Sequence, residues 1–493
     1  MRAQLTMRAT RRLLLAAGFA VWGFAGLGSP ALAQVEKASE LRFPPLRETT
    51  AAIPQRLVLD NGLTVLLLED HELPLVDATA MVRTGSLYEP ADKVGLAELT
   101  GRVLRAGGTT RQSGDEIDDF LENRAATIET SIGDDVGTAR LSCLREDFSD
   151  LFQTFADILR RPAFDATKIE LARNRSMSEV ARQNDDPQDV LERKFREIVF
   201  GKDSPEARTP TFASLAAIRR ADMVAWHTKY FHPERVILGI AGDIDAAATL
   251  ARVREAFGDW PRGPAIEEPA EKPPHEVKPG VYTVDLDEIP QANIAMGYLG
   301  IRRDDPDIFA VEVLNQLFGG SFASRLFANV RSKKALGYVV YGAVNSDWGH
   351  AEVTELVLTT KGETTGAGVA ALLDEAKRLS TEPPSDHEVE EAKKALLSSF
   401  VFTRDSLRKA LRQQQTLEYW GYPADWYERY RVGVEAVTTE QVRKAAARLI
   451  HPEKFAIVVV GPASLRERPL SDFGPVTPLD ITIPGAPKAG KQP

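Results

Sequence analysis

From residue 56 onward, apolar and polar positions alternate in short runs, then recur at helical spacing, then alternate again; the whole succession occurs twice. Residues 56–68 predict a hairpin, with Leu57-Val58-Leu59 leading into the turn Asp60-Asn61-Gly62 and an apolar return strand. Residues 74–83 predict a strand, with Val76, Ala78, Ala80 and Val82 on one face, and residues 126–132 and 136–144 predict two more. Helical spacing covers 95–106, stopped by Gly107-Gly108, then 117–123, 148–160, 167–183 and 215–227. Asn184-Asp185-Asp186-Pro187 reads as the close of the fourth of these helices. An apolar strand follows at 236–241, ending in Gly242-Asp243.

Residues 261–280 carry six prolines among charged residues and read as a linker. The pattern then restarts, with strands at 281–286, 292–299 and 352–360. Helices are expected at 306–318, ending at Gly319-Gly320, then at 324–335 with Gly337 as the stop, and at 369–379. A further helix at 385–402 opens on a Ser385-x-x-Glu388 capping box. Near the end, His451-Pro452-Glu453-Lys454, followed by the apolar strand 455–460 and Gly461, copies His232-Pro233-Glu234-Arg235 and its strand at an offset of 219. The chain is therefore an internal duplication of two α+β units, each of roughly 200 residues. Strands and helices come in blocks, not in strict alternation, which predicts mostly antiparallel sheets with helices packed on one face. The expected units are 34–260 and 281–465, with a Pro/Gly-rich, loosely ordered tail at 466–493.

Residues 1–33 lie outside this scheme. Arg2, Arg8, Arg11 and Arg12 precede an apolar run from Leu13 to Gly28, and Ala31-Leu32-Ala33 supplies an A-x-A cleavage site. This is a secretory signal, and the run is too short and too rich in Gly and Ala for a membrane anchor. Thr10-Arg11-Arg12 suits twin-arginine export as well as the general route. Without this segment the chain carries 57 basic and 71 acidic residues, net −14, which argues against nucleic acid or an anionic membrane as partner. Cys143, the sole cysteine, cannot form an internal disulfide and fits a strand interior.

Arg331 and Tyr338 stand seven residues apart across a helix-to-strand junction. A guanidinium offers five donors and a phenol one, so together they can hold a peptide carbonyl or the oxyanion it becomes. Spacing alone favours the plainer reading, Arg331 as a solvated helix residue and Tyr338 as a strand core residue.

Taken in order, Leu59-Asp60-Asn61-Gly62-Leu63, Gly85-Ser86 before Gly95-Leu96-Ala97, Asp185-Asp186-Pro187, residues 230–243 and the 319–338 stretch give the chain a family look. It resembles the pitrilysin/insulinase family, which includes the mitochondrial processing peptidase, over about residues 54–464. The resemblance implies an H-x-x-E-H helix directly after Gly-Leu-Ala, binding zinc through its histidines with the glutamate as general base. Here Glu98 stands at the first histidine, Gly101 at the base and Arg102 at the second histidine. The later glutamate ligand has Glu179 as its counterpart. A fixed cation and a glycine cannot bind or activate metal, so no metal is expected in this chain. None of its seven histidines (His71, His227, His232, His275, His350, His387, His451) forms a replacement motif.

In the same family an Arg/Tyr pair of the C-terminal half holds the substrate backbone over the zinc of the N-terminal half. Arg331 and Tyr338 match that pair, and Gly319, Gly320 and Ser321 resemble a glycine-rich, substrate-contacting loop. The resemblance therefore implies a non-catalytic, substrate-binding subunit of a periplasmic heterodimeric zinc peptidase, with peptide as substrate. Its partner would be a homologous H-x-x-E-H chain carrying the zinc. The alternative is an inactive scaffold of the same fold. A separate hydrolytic chemistry is disfavoured, since the chain has no Gly-x-Ser-x-Gly elbow and no Cys/His pair.

Overall fold

The structure, a computed structural model, describes residues 53–269 and 275–485. The signal segment, the lead-in to residue 52, five linker residues and the last eight residues lie outside the described residues. The first half contains strands β1 (Gln55–Val58), β2 (Thr64–Glu69), β3 (Leu75–Arg83), β4 (Thr127–Ile132), β5 (Val136–Leu144) and β6 (Val236–Gly242). The second contains β7 (Gly280–Asp285), β8 (Gln291–Leu299), β9 (Ile301–Arg302), β10 (Val339–Val344), β11 (Ser346–Asp347), β12 (Val353–Lys361), β13 (Ala456–Gly461) and β14 (Val476–Pro478).

The sheets run β1-β2-β6-β3-β5-β4 and, from the corresponding end, β14-β7-β13-β8-β12-β10, while β9 and β11 form a short separate pair. Five consecutive strands thus share one order in both halves, which is the predicted duplication seen in three dimensions. In each sheet one central pair is parallel, β2 with β6 and β7 with β13. The remaining pairs are antiparallel, except at β14.

Helices of the first half are α1 (Leu96–Ala106), α2 (Gly114–Glu122), α3 (Phe148–Arg160), α4 (Ala166–Ala181), α5 (Pro187–Phe200), α6 (Phe212–Ala217), α7 (Arg220–Tyr230) and α8 (Ala246–Phe257). Those of the second are α9 (Ile308–Phe318), α10 (Thr365–Thr381), α11 (Asp386–Phe400), α12 (Leu407–Trp420), α13 (Trp426–Ala436) and α14 (Thr439–Leu449). Each half packs most of its helices on one face of its own sheet, forming the two large cores.

The opposite face of each sheet is covered by one helix from the other half. From α5, Val190, Leu191, Phe195 and Val199 pack on Ala295, Val357, Val458 and Val460 of the second sheet. From α12, Leu411 and Tyr419 pack on Leu66, Leu68, Met81 and Ile237 of the first. Gln415, buried at this seam, donates to the carbonyls of Thr79 (2.8 Å) and Ile237 (3.2 Å), and Tyr419 donates to the Asp135 carbonyl (2.6 Å). Because both faces are covered, β13 is buried at every residue and β6 at all but its last, which explains their unbroken apolar sequences.

Several local expectations change. Asp186 does not close a helix only: its side chain caps α5, accepting from the Gln188 N–H at 2.8 Å with Pro187 at the first helical position. The single helix expected at 215–227 is two, α6 and α7. The tail is not loose as far as residue 485. Without it β7 would be an open edge; instead β14 pairs along it, Leu479 N–H donates to Thr283 O (2.7 Å), and the Asn184 amide donates to Ile481 O (2.7 Å). The helical turn after Gly319-Gly320 is wide, Phe327–Lys333, with Lys334 N–H reaching back to Asn329 O. It stops at Ala335, held at φ 52, and not at Gly337.

Candidate functional site

Helix α1 begins after Gly95, where the buried Glu89 carboxylate accepts the N–H groups of Gly95 (3.0 Å) and Ala97 (2.6 Å). Burial raises the Glu89 carboxyl to about 7, against these two hydrogen bonds, which favour its charged form. Leu96, Leu99, Val103 and Leu104 face the core, which leaves Glu98 and Arg102 directed at α4. There Arg102 makes a two-pronged bond to Glu179, with Nη1–Oε1 at 3.1 Å and Nη2–Oε2 at 2.9 Å, and Nη2 also meets Glu98 Oε1 at 2.5 Å. Arg175 approaches the same Glu179 at 3.3 Å. Partial burial works against the Arg102 charge, but Glu179 and Glu98 hold its pKa above the ordinary value.

These residues do not fit zinc. The guanidinium lies where both carboxylates would have to turn toward a metal, and it satisfies them already. Gly101 closes the site sterically as well. Its carbonyl accepts the Thr130 hydroxyl of β4 at 2.7 Å, and a Cβ on it would fall on the backbone nitrogen of Ile132. Helix α1 therefore rides against strand β4 at the position where a general base would need a side chain.

The second half presents a different surface. Arg331 lies over two rings, its Cζ 4.6 Å from the centroid of Phe327 and 5.0 Å from that of Tyr338. Phe322 meets Phe327 edge-on at 5.0 Å. Tyr338 and Phe322 are 76% and 81% exposed, too open for core residues. Among the described residues, neither the Arg331 guanidinium nor the Tyr338 hydroxyl has a hydrogen-bond or ion-pair partner. Tyr338 N–H donates to Thr359 O (3.3 Å), which fixes it at the start of β10, the outermost strand of its sheet.

Gly319, Gly320 and Ser321 form the turn that links α9 to this surface. Both glycine N–H groups donate to Asn315 O, and the Ser321 hydroxyl reaches Gln316 O at 3.3 Å. Gly319 is buried against the backbone of Gly342 in β10, where no Cβ has room. Asn315 in turn exchanges two hydrogen bonds with the backbone of Val344 (2.8 and 3.0 Å). The turn is thus tied to both neighbours, and Phe322 is its most exposed side chain. Sequence reasoning passed over Phe322 and Phe327; the signal available was two phenylalanines five residues apart just before Arg331.

The structure brings Glu98, Arg102 and Glu179 together in one cluster, and Arg331 and Tyr338 in another. No hydrogen bond, ion pair or ring contact among the described residues joins the two clusters.

Residues 64–209 match the profile of insulinase (peptidase family M16), and residues 217–396 that of the peptidase M16 inactive domain. An "uncharacterized zinc protease" of Mycobacterium leprae is 25% identical over 418 residues, covering 83% of this chain and 91% of that protein. A "non-peptidase homolog YmxG" of Helicobacter pylori is 23% identical over 416 residues, covering 83% and 94%. Among solved structures, a peptidase M16 inactive domain from Pseudomonas fluorescens superposes with a TM-score of 0.77 at 24% identity, covering 84% of this chain and 99% of its own. The periplasmic protease PqqL of Escherichia coli gives 0.72 at 16% identity, covering 84% of this chain and 46% of its own.

Proposed function

The chain belongs to peptidase family M16, the insulinase/pitrilysin family, and on that premise we propose that it acts as the non-catalytic, substrate-binding subunit of a two-chain zinc peptidase. The observation that carries this reading is the contrast between a zinc-motif helix closed by Arg102 and a pair of donors, Arg331 and Tyr338, whose polar ends are unused. An extended peptide would lie along the start of β10, next to Tyr338, because Gly319 and Asn315 already cover the outer edge of that strand at Gly342 and Val344. Arg331 and Tyr338, at the head of that strand, would then donate to one peptide carbonyl and stabilise negative charge as it develops there. Phe322 and Phe327 would cover the neighbouring side chain of the peptide and exclude water. Metal and general base would belong to a homologous H-x-x-E-H partner. The secretory signal expected at residues 1–33, and a periplasmic protease among the structural relatives, support a periplasmic location. No helix among the described residues is long and apolar enough to cross a membrane.

The test is to purify this chain and an H-x-x-E-H relative encoded beside it, and to assay peptide cleavage separately and mixed. Activity is expected only in the mixture and is lost with chelator. Arg331→Ala or Tyr338→Phe should lower it by about a hundredfold, the usual cost of one oxyanion donor. Mixture activity unchanged by both substitutions overturns the donor role. It would favour the second reading, an inactive scaffold, which the name of the Helicobacter relative also suits.

A further inference from the structure

The exchanged helices end close to one another at the seam between the halves, and three side chains converge there. Asp135 ends the β4–β5 hairpin of the first half, and its carbonyl accepts the Tyr419 hydroxyl near the end of α12. Asp347 and His350 belong to the second half, on β11 and the turn after it. The turn packs through Gly349 on the ring of Trp420, the last residue of α12. The His350 ring stands edge-on to Phe200, the last residue of α5, with centroids 6.5 Å apart.

The ligand-capable atoms of Asp135, Asp347 and His350 all lie within 4.8 Å of one another, and all three residues are half-buried. Their orientation is set from outside the cluster. Asp347 Oδ1 accepts the Gly349 N–H at 2.9 Å. His350 Nδ1 donates to the Ala351 carbonyl at 3.0 Å, so in the neutral imidazole the lone pair sits on Nε2. That nitrogen is 3.9 Å from Asp347 Oδ1. The separation exceeds a hydrogen bond, and a small side-chain rotation would bring the pair to the roughly 3.3 Å that separates two ligands of one tetrahedral ion. Among the described residues no lysine or arginine pairs with Asp135 or Asp347. Two carboxylates without a lysine or arginine partner, together with an imidazole nitrogen that has an available lone pair, form a ligand set for a cation.

We propose that Asp135, Asp347 and His350 form a binding site for a divalent first-row transition metal that ties the two halves together at their seam. Two carboxylates balance the dication, water completes the coordination, and the imidazole favours zinc, iron or nickel over calcium or magnesium, which prefer all-oxygen shells. The site is separate from the zinc-motif helix, where Arg102 occupies the carboxylates. Its role is to hold the halves at a fixed angle, since its ligands come from both.

The test uses the full chain, freed of metal by chelator and titrated with zinc by calorimetry. One zinc per chain is expected, with a rise in thermal midpoint that excess magnesium does not reproduce. Asp135→Asn with His350→Gln should weaken binding at least tenfold, whereas Glu98→Gln with Glu179→Gln should leave it unchanged. Absence of saturable zinc binding, or undiminished binding in the Asp135/His350 variant, overturns the proposal. Should that variant fail to fold, an anomalous-scattering map of zinc-soaked wild-type crystals decides: a peak between Asp135 and His350 supports the site, and its absence there overturns it.

Discussion

Helices α1 and α9 occupy equivalent places in the two halves. Each packs beside an outermost strand, β4 or β10, and each ends at a Gly-Gly pair, Gly107-Gly108 or Gly319-Gly320. Aligned on those glycines, Glu98, Gly101 and Arg102 correspond to Ala310, Val313 and Leu314, all buried. The first half thus keeps polar groups on the helix but spends them on one another, Arg102 on Glu98 and Glu179. The second has core residues at those three positions of its helix, and its unpaired polar groups lie beyond it, where Arg331 stacks on the rings of Phe327 and Tyr338. A charge already paired inside the protein has little to offer a ligand, while an unpaired donor on a stacked aromatic support does.

The most forceful way to break that comparison is to rebuild the zinc motif in α1 as Glu98→His, Gly101→Glu and Arg102→His. If only the residue types had been lost, this variant would bind zinc. The close approach of α1 to β4 predicts otherwise. Any side chain at 101 must displace the backbone of Ile132, at a cost of about 3 kcal/mol or more. Gly101→Ala alone should therefore lower the thermal midpoint by several degrees, and the triple variant should neither take up stoichiometric zinc nor cleave peptide. A stable, zinc-loaded triple variant would mean that the helix–strand packing is no obstacle.

How much of this was legible beforehand follows from how local each signal is. The duplication, the hairpin at Asn61-Gly62 and the loss of the metal motif are written in contiguous residues, and the strand order bears the duplication out. Helices α5 and α12 were not assigned. Each carries charged residues across a face that is apolar only in contact with the other half's sheet, so nothing local announces it. Gln415, polar and fully buried, is the extreme case, since its partners Thr79 and Ile237 are well over a hundred residues away. The Asp135, Asp347 and His350 cluster was invisible for the same reason. The Pro/Gly-rich tail misled because composition reports the absence of a core of its own, not the presence of an open edge at β7.

A second test bears on how α1 is held. Its N-terminus is tied by the buried Glu89 carboxyl, whereas Asp307 before α9 makes no such side-chain cap. In the folded protein Glu89 titrates near 7, above its usual 4.5, so the fold favours the protonated form. Stability from this group is therefore complete below about pH 4.5 and is lost as pH rises through about 7, by about 3 kcal/mol. Glu89→Gln cannot titrate. Denaturant unfolding at a series of pH values should show the variant gaining on the wild type between those limits. Parallel profiles would mean that Glu89 is solvated more freely than its burial implies.

The smallest effects sharpen the comparison most. Arg102→Gln leaves Glu98 and Glu179 facing each other with only Arg175 nearby, but these side chains are 30–46% exposed, so screening limits the loss to about 1 kcal/mol. That loss should shrink as salt is added, because the remaining repulsion between carboxylates is screened too. Arg331→Ala removes only contacts with two rings and should cost about 0.5 kcal/mol, nearly independent of salt. Peptide cleavage by the mixture with an H-x-x-E-H partner should rank the two in the opposite order, barely changed by Arg102→Gln and strongly reduced by Arg331→Ala. Two arginines of one chain would then divide cleanly, one acting on the fold and the other on the substrate. A common rank in both measurements would show instead that Arg331 works through stability, and that its exposed stack with Tyr338 is only surface packing.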